Sequence, residues 1–145
     1  MYFMLKETYM SDSEKWAWWA LGVVVLTIAA YGAFVAFLGH GPATSAVFAL
    51  LALTALPASS RRYFTGRTHD ERERAIANKA LLAGFRAFWV AFVGLTVAIG
   101  FIKGWDATLS VPVWALSQTI WWAVILVLGV QALTTILLYR GGPHA

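Results

Sequence analysis

Four apolar stretches, two before and two after a single dense block of charge, set the narrowest limit on what this chain can become. They lie at about residues 16–38, 43–58, 80–102 and 111–139, and Asp and Glu are absent from all of them. A helix of about 20 apolar residues crosses a hydrocarbon core of about 30 Å, so three of the stretches are long enough, and the second, bounded by Pro42 and Pro57, is short. With 145 residues, 60% of them apolar and 12% charged, the chain is too apolar for a soluble domain of this size. The expected fold is all-α, an integral membrane four-helix bundle at 16–140, after a leader at 1–15 and before a tail at 141–145. Met10 reads as an alternative start, with Ser11 or Asp12 capping the first helix.

The charged block, Thr68 to Ala80, predicts a helix start. Thr68 and Glu71 have capping-box spacing, in which hydroxyl and carboxylate each take an otherwise unpaired backbone N–H. Asp70, Glu71 and Glu73 place negative charge where the helix dipole favours it, and Asp70 to Arg74 is a favourable i,i+4 pair. With no proline between Thr68 and Pro112, the helix can run to about Ile102, about 50 Å at 1.5 Å per residue. That exceeds the bilayer core, and the reading is a third helix extended into the cytoplasm by two to three turns.

Basic residues give the orientation. Lys6, Lys15, Arg61, Arg62, Arg67, Arg72, Arg74, Lys79, Arg86 and Arg140 fall on one side, Lys103 alone on the other. Cytoplasmic loops carry the excess of Lys and Arg, so both termini and the central block are expected inside, in a multi-pass protein of the cell's inner (cytoplasmic) membrane. Trp16, Trp18, Trp19, Trp105 and Trp114 suit interfacial belts; Trp121 and Trp122 lie deeper along the fourth span and suit one less well.

The third span carries a seam of small residues: Ala80, Gly84, Ala87, Ala91, Gly94 and Ala98, spaced 4, 3, 4, 3 and 4. Small seams let helix backbones approach closely in lipid, within one bundle or across a homodimer. Asp70 and Glu73 continue the same line upstream, which predicts a cytoplasmic clasp with Arg61 and Arg62, or with Lys15 or Arg140. Arg72, Lys79 and Arg86, seven apart, form a basic stripe off the seam, for anionic lipid headgroups or a protein partner. Arg86 is expected near the inner surface, snorkelling to it. Gln118 and Gln131 are expected to hydrogen-bond between helices.

Candidate chemistry is sparse. The chain has no cysteine, and His40, His69 and His144 sit in a loop, a helix start and the tail, so no histidine pair can face across the bundle to hold a haem or a metal. A proton-coupled exporter needs an intramembrane carboxylate. Nucleic acid is not an expected partner, because there is no basic groove to present to it. No nucleophile–base pair and no phosphate loop is found. The expectation is a non-enzymatic protein without cofactor that acts by binding, as a regulatory or accessory subunit of a membrane complex. The alternative is a carrier subunit for a lipid, quinone or pigment among the aromatic residues.

Asp70, Glu71, Arg72, Ile76, Lys79 and Ala80, directly before an aromatic-rich third span, resemble the DER-x-x-x-I-x-x-K-A signature of the small four-helix bacterial and archaeal membrane proteins of the DUF2178 type. The resemblance implies an accessory or regulatory membrane protein, from a group often encoded beside a helix-turn-helix regulator. It brings no catalytic residues with it.

Overall fold

A computed structural model describes residues 11–55, 71–105 and 108–141. The first helix, Asp12–Leu38, starts earlier than the apolar stretch does, because the Ser11 side chain accepts from the Glu14 N–H at 3.1 Å and so caps it. It ends at Gly39, whose φ of 73° is a backbone state that favours glycine. The second helix, Pro42–Ala55, is 3₁₀ over 14 residues. At about 2.0 Å per residue it runs about 28 Å, against about 21 Å for the same residues as α-helix. Thr44 and Thr54 suit that winding, since each hydroxyl donates to the carbonyl three residues back, on Gly41 and Leu51.

The third helix is Glu71–Lys103 and the fourth Val113–Arg140, the latter with Pro112 as N-cap, where a missing N–H costs nothing. The capping box at Thr68 and the Asp70–Arg74 pair lie outside the described residues. No strand occurs among the described residues, and the first, third and fourth helices are long and apolar enough to cross a membrane.

The fourth helix is the axis of the assembly. The first packs on it through Ala17, Ala20, Ala132 and Ile136 at one end. Further along, Val24 meets Ile125, Phe48 and Leu51, bringing the second helix into the same core. The first and fourth helices are antiparallel, since Glu14 reaches Arg140 at one end and Tyr31 reaches Gln118 at the other. The third helix joins from the remaining side: a Cβ built on Gly84 would stand 3.0 Å from the Val127 carbonyl oxygen and 3.7 Å from the Gln131 Cβ. Ile76 and Ala80 continue that contact.

The second helix lies against the first along its length. The indole N–H of Trp19 donates to the Leu53 carbonyl at 3.0 Å, and that of Trp16 to the Thr54 carbonyl at 3.3 Å. These are last-turn carbonyls, which a helix leaves without internal donors. The two tryptophans, read from the sequence as interfacial, therefore also cap the neighbouring helix. Trp19→Phe keeps the ring and removes the donor, so it is expected to cost about 0.5–1.5 kcal/mol, read as a lower melting temperature in detergent.

Candidate functional site

Polar side chains gather at the two ends of the helix stack. At one end, Gln118 is buried between three helices. Its Oε1 accepts from the Tyr31 hydroxyl at 3.0 Å, while its Nε2 donates to Thr44 Oγ1 at 2.7 Å and to the Gly41 carbonyl at 3.1 Å, with Ser45 Oγ at 3.4 Å. The Gly41 oxygen can only accept, which fixes the amide's orientation. Beneath it Tyr31, Phe48, Trp121 and Trp122 pack ring on ring at 5.1–6.1 Å, with Phe48 1% exposed. Trp122 is half-buried in this aromatic layer, while Trp121, which stacks on Phe48, keeps an exposed edge. Each polar group of the node is met by another, and the rings fill the space between the helices.

The other end carries the charges. Glu14, with 13% of its side chain exposed, pairs with Arg140 at 3.6 Å, and the Arg140 guanidinium lies 5.0 Å over the Trp18 ring. Arg140, one of the basic residues considered for the clasp, is therefore engaged by the first helix. Glu73 is half-buried, whereas Asp70, Arg61 and Arg62 lie outside the described residues and the clasp with them. Glu71, Arg72, Arg74, Asn78 and Lys79 are all exposed, and among the described residues the charged ones have no ion-pair partner.

A family model described as "Predicted membrane protein (DUF2178)" matches residues 13–141. The chain belongs to the DUF2178 family. Comparison with curated proteins and with solved structures gives no match. In this DUF2178 member, Ile76 and Ala80, two residues of the signature quoted above, are buried, and Glu71, Arg72 and Lys79 are exposed.

The small seam is divided. Ala80 and Gly84 are buried and Ala87 half-buried, but Ala91, Gly94 and Ala98 are exposed, and a Cβ on Gly94 would meet nothing within 4 Å. Within this one chain, then, Ala91 and Gly94 face no neighbouring helix. Eighteen residues make five full turns, so Ala98 stands on the same face as Ala80. The fourth helix must leave that face beyond Ala87, and its own continuation past Val127, namely Ile120, Leu116 and Val113, is exposed as well. Gln131 is half-buried beside Gly84, and its side-chain amide has no hydrogen-bond partner among the described residues, unlike that of Gln118.

Helix register sets Arg86 against the middle of the fourth helix. The connection at 104–112 has nine residues and reaches at most about 30 Å, less than either helix it joins, so the third and fourth helices are antiparallel. Two residues past Gly84, Arg86 is level with Val127, at the middle of Val113–Arg140. A Cβ on Gly129 would lie 3.8 Å from Val24, which puts the same level near the middle of Asp12–Leu38. Arg86 is exposed there, and among the described residues it has no ion pair. It stands about 10 Å further along the helix than Lys79 at 1.5 Å per residue. An arginine at the centre of a span costs about 2.5–3.5 kcal/mol on insertion scales. Nothing in its periodicity distinguished it from Arg72 and Lys79; only the contact at Gly84 does.

Proposed function

We propose that this protein acts by binding, as a regulatory or accessory subunit of a membrane complex, through the charged end of its third helix. One contrast carries the reading. The buried polar groups of the Gln118 node are paired with one another, whereas Glu71, Arg72, Arg74 and Lys79 stand exposed and unpaired among the described residues. A carrier would need an open site where the aromatic residues instead pack on each other.

The charged end is the cytoplasmic one in this proposal, with both termini inside the inner membrane. The ten-to-one distribution of basic residues supports that orientation. An even number of crossings follows if the second helix crosses too. It touches Trp16 and Trp19 near one end of the first helix and, through Gln118, Tyr31 near the other. Trp16 and Tyr31 are about 22 Å apart along that helix, most of the bilayer core. The same register brings Glu73 level with Arg140, so the extension of the third helix is modest. Its first turn, with Glu71 and Arg72, rises above the ends of its neighbours, and the next turns lie in the headgroup layer.

The chain has no cysteine, so one introduced thiol reports one position. Leu109→Cys is expected to react with an impermeant maleimide added to intact cells, and Arg72→Cys only after permeabilisation. Labelling of Arg72→Cys in intact cells would reverse the orientation. Native mass spectrometry and an absorption spectrum of protein purified in mild detergent test the mode of action: a co-purified protein supports binding, and a bound chromophore, quinone or stoichiometric lipid supports a carrier.

A further inference from the structure

We infer that Arg86 is the recognition point for a transmembrane helix of a partner protein that carries an Asp or Glu near the bilayer midplane. The inference rests on the binding function above and specifies the partner's chemistry. Arg86 is exposed at the level of Val127 and Leu26, the mid-depth of the stack, and among the described residues nothing pairs with it. A cation held at that depth is stabilised by an opposite charge at the same depth.

This chain does not supply that charge. The sequence has no Asp or Glu between Glu14 and Asp70, nor between Glu73 and Asp106. A second copy would bring another Arg86 and no carboxylate, so self-association leaves the charge unmet. Lipid phosphate is the other source of negative charge, but Lys79 stands one pair of turns nearer the headgroups on the same line and meets phosphate first. Arg86 would have to draw a headgroup about 10 Å further inward.

The surface around Arg86 can receive a helix. On the same face, the helical spacing places Leu82 before it and Val90, Val93 and Val97 after it, all exposed. These are aliphatic side chains of moderate size, and Val90, Val93 and Val97 are β-branched and stiff, so they form a ridge that loses little rotamer freedom on contact. The fourth helix lies on a different face, through Ala80 and Gly84, and does not obstruct the approach.

The test uses three synthetic transmembrane peptides of leucine and alanine with lysine-flanked ends, carrying Asp, Asn or Leu at the centre. Binding to the full chain is measured by energy transfer in phosphatidylcholine nanodiscs. The Asp peptide is expected to bind the unaltered protein at least tenfold more tightly than the Asn peptide, about 1.4 kcal/mol by the conversion of tenfold affinity. Arg86→Leu and Arg86→Gln should abolish the difference, and Lys79→Leu should retain it. Both Arg86 variants remove a lipid-facing charge and should keep their helical circular dichroism; if either loses it, Arg86→Lys, which keeps the charge, serves with the expectation of a retained preference. Equal binding of the Asp and Asn peptides overturns the inference, as does a preference that survives Arg86→Leu. Retention of one phosphatidylglycerol by the unaltered protein, lost in Arg86→Leu, assigns the site to lipid and overturns it too. If the peptides fail while a protein still crosslinks at Arg72, only the role of Arg86 falls and binding at the charged end stands.

Discussion

Gly84→Leu should loosen the third helix from the fourth, lowering stability by about 1–3 kcal/mol, whereas Gly94→Leu should leave the melting temperature in detergent unchanged. The two glycines share one seam and one sequence context, yet a Cβ at Gly84 would stand 3.0 Å from a backbone oxygen of Val127, and one at Gly94 meets nothing within 4 Å. A backbone atom cannot rotate away as a side chain can, so the larger residue at 84 must push the helices apart. In lipid the helices lose no hydrophobic driving force on separating, but they do lose dispersion contacts. Energy transfer between labels on the inner halves of the two helices should fall for Gly84→Leu only. Ala91→Leu, at an exposed position, belongs with Gly94→Leu. A drop in melting temperature for Gly94→Leu equal to that for Gly84→Leu would show that the outer seam is packed after all.

The second large effect is expected at Gln118. Gln118→Leu leaves the Tyr31 hydroxyl without its acceptor, and it takes a donor from Thr44 and from the Gly41 carbonyl. With the surrounding groups buried, the cost should be about 1–3 kcal/mol. Tyr31→Phe removes one of these bonds and should cost less, about 0.6–1.7 kcal/mol. The double variant should lose less than the sum, because the Tyr31–Gln118 bond is counted in both single changes. Gln131→Leu is the control, since its amide has no hydrogen-bond partner among the described residues and its loss should be neutral. Equal destabilisation by Gln118→Leu and Gln131→Leu would remove the special standing of the node.

Hydropathy alone placed the first and fourth helices to within a few residues, because twenty apolar residues leave few alternatives to a membrane helix; the third also needed the charged block, since its apolar stretch begins at about residue 80 and the helix at Glu71. The family resemblance was legible too, on residues of the charged block. The winding of the second helix was not: Pro42, Thr44 and Thr54 suit a 3₁₀ turn and an α-helix start alike. Periodicity places the small residues on one line of one face. It could not show where along that line the neighbour departs, which depends on how the fourth helix crosses. Nor could it show that Arg86 stands opposite the middle of the fourth helix, since spacing along one helix carries no information about the level of the next. Gln118 and Gln131 are indistinguishable as sequence, and only Tyr31 and the start of the second helix, at Gly41, Thr44 and Ser45, separate their roles.

The most direct measurement of binding at the charged end is photo-crosslinking in living cells of the native host, with a photoreactive residue at Arg72 and, in parallel, at Val25, which is exposed on the first helix. A protein that works as a partner's subunit should give one discrete heavier protein adduct from position 72, weakened when Arg74 and Lys79 are replaced by glutamate, and none of that mass from position 25. No protein adduct from position 72, or the same set of adducts from both positions, would contradict a docking role for the charged end of the third helix.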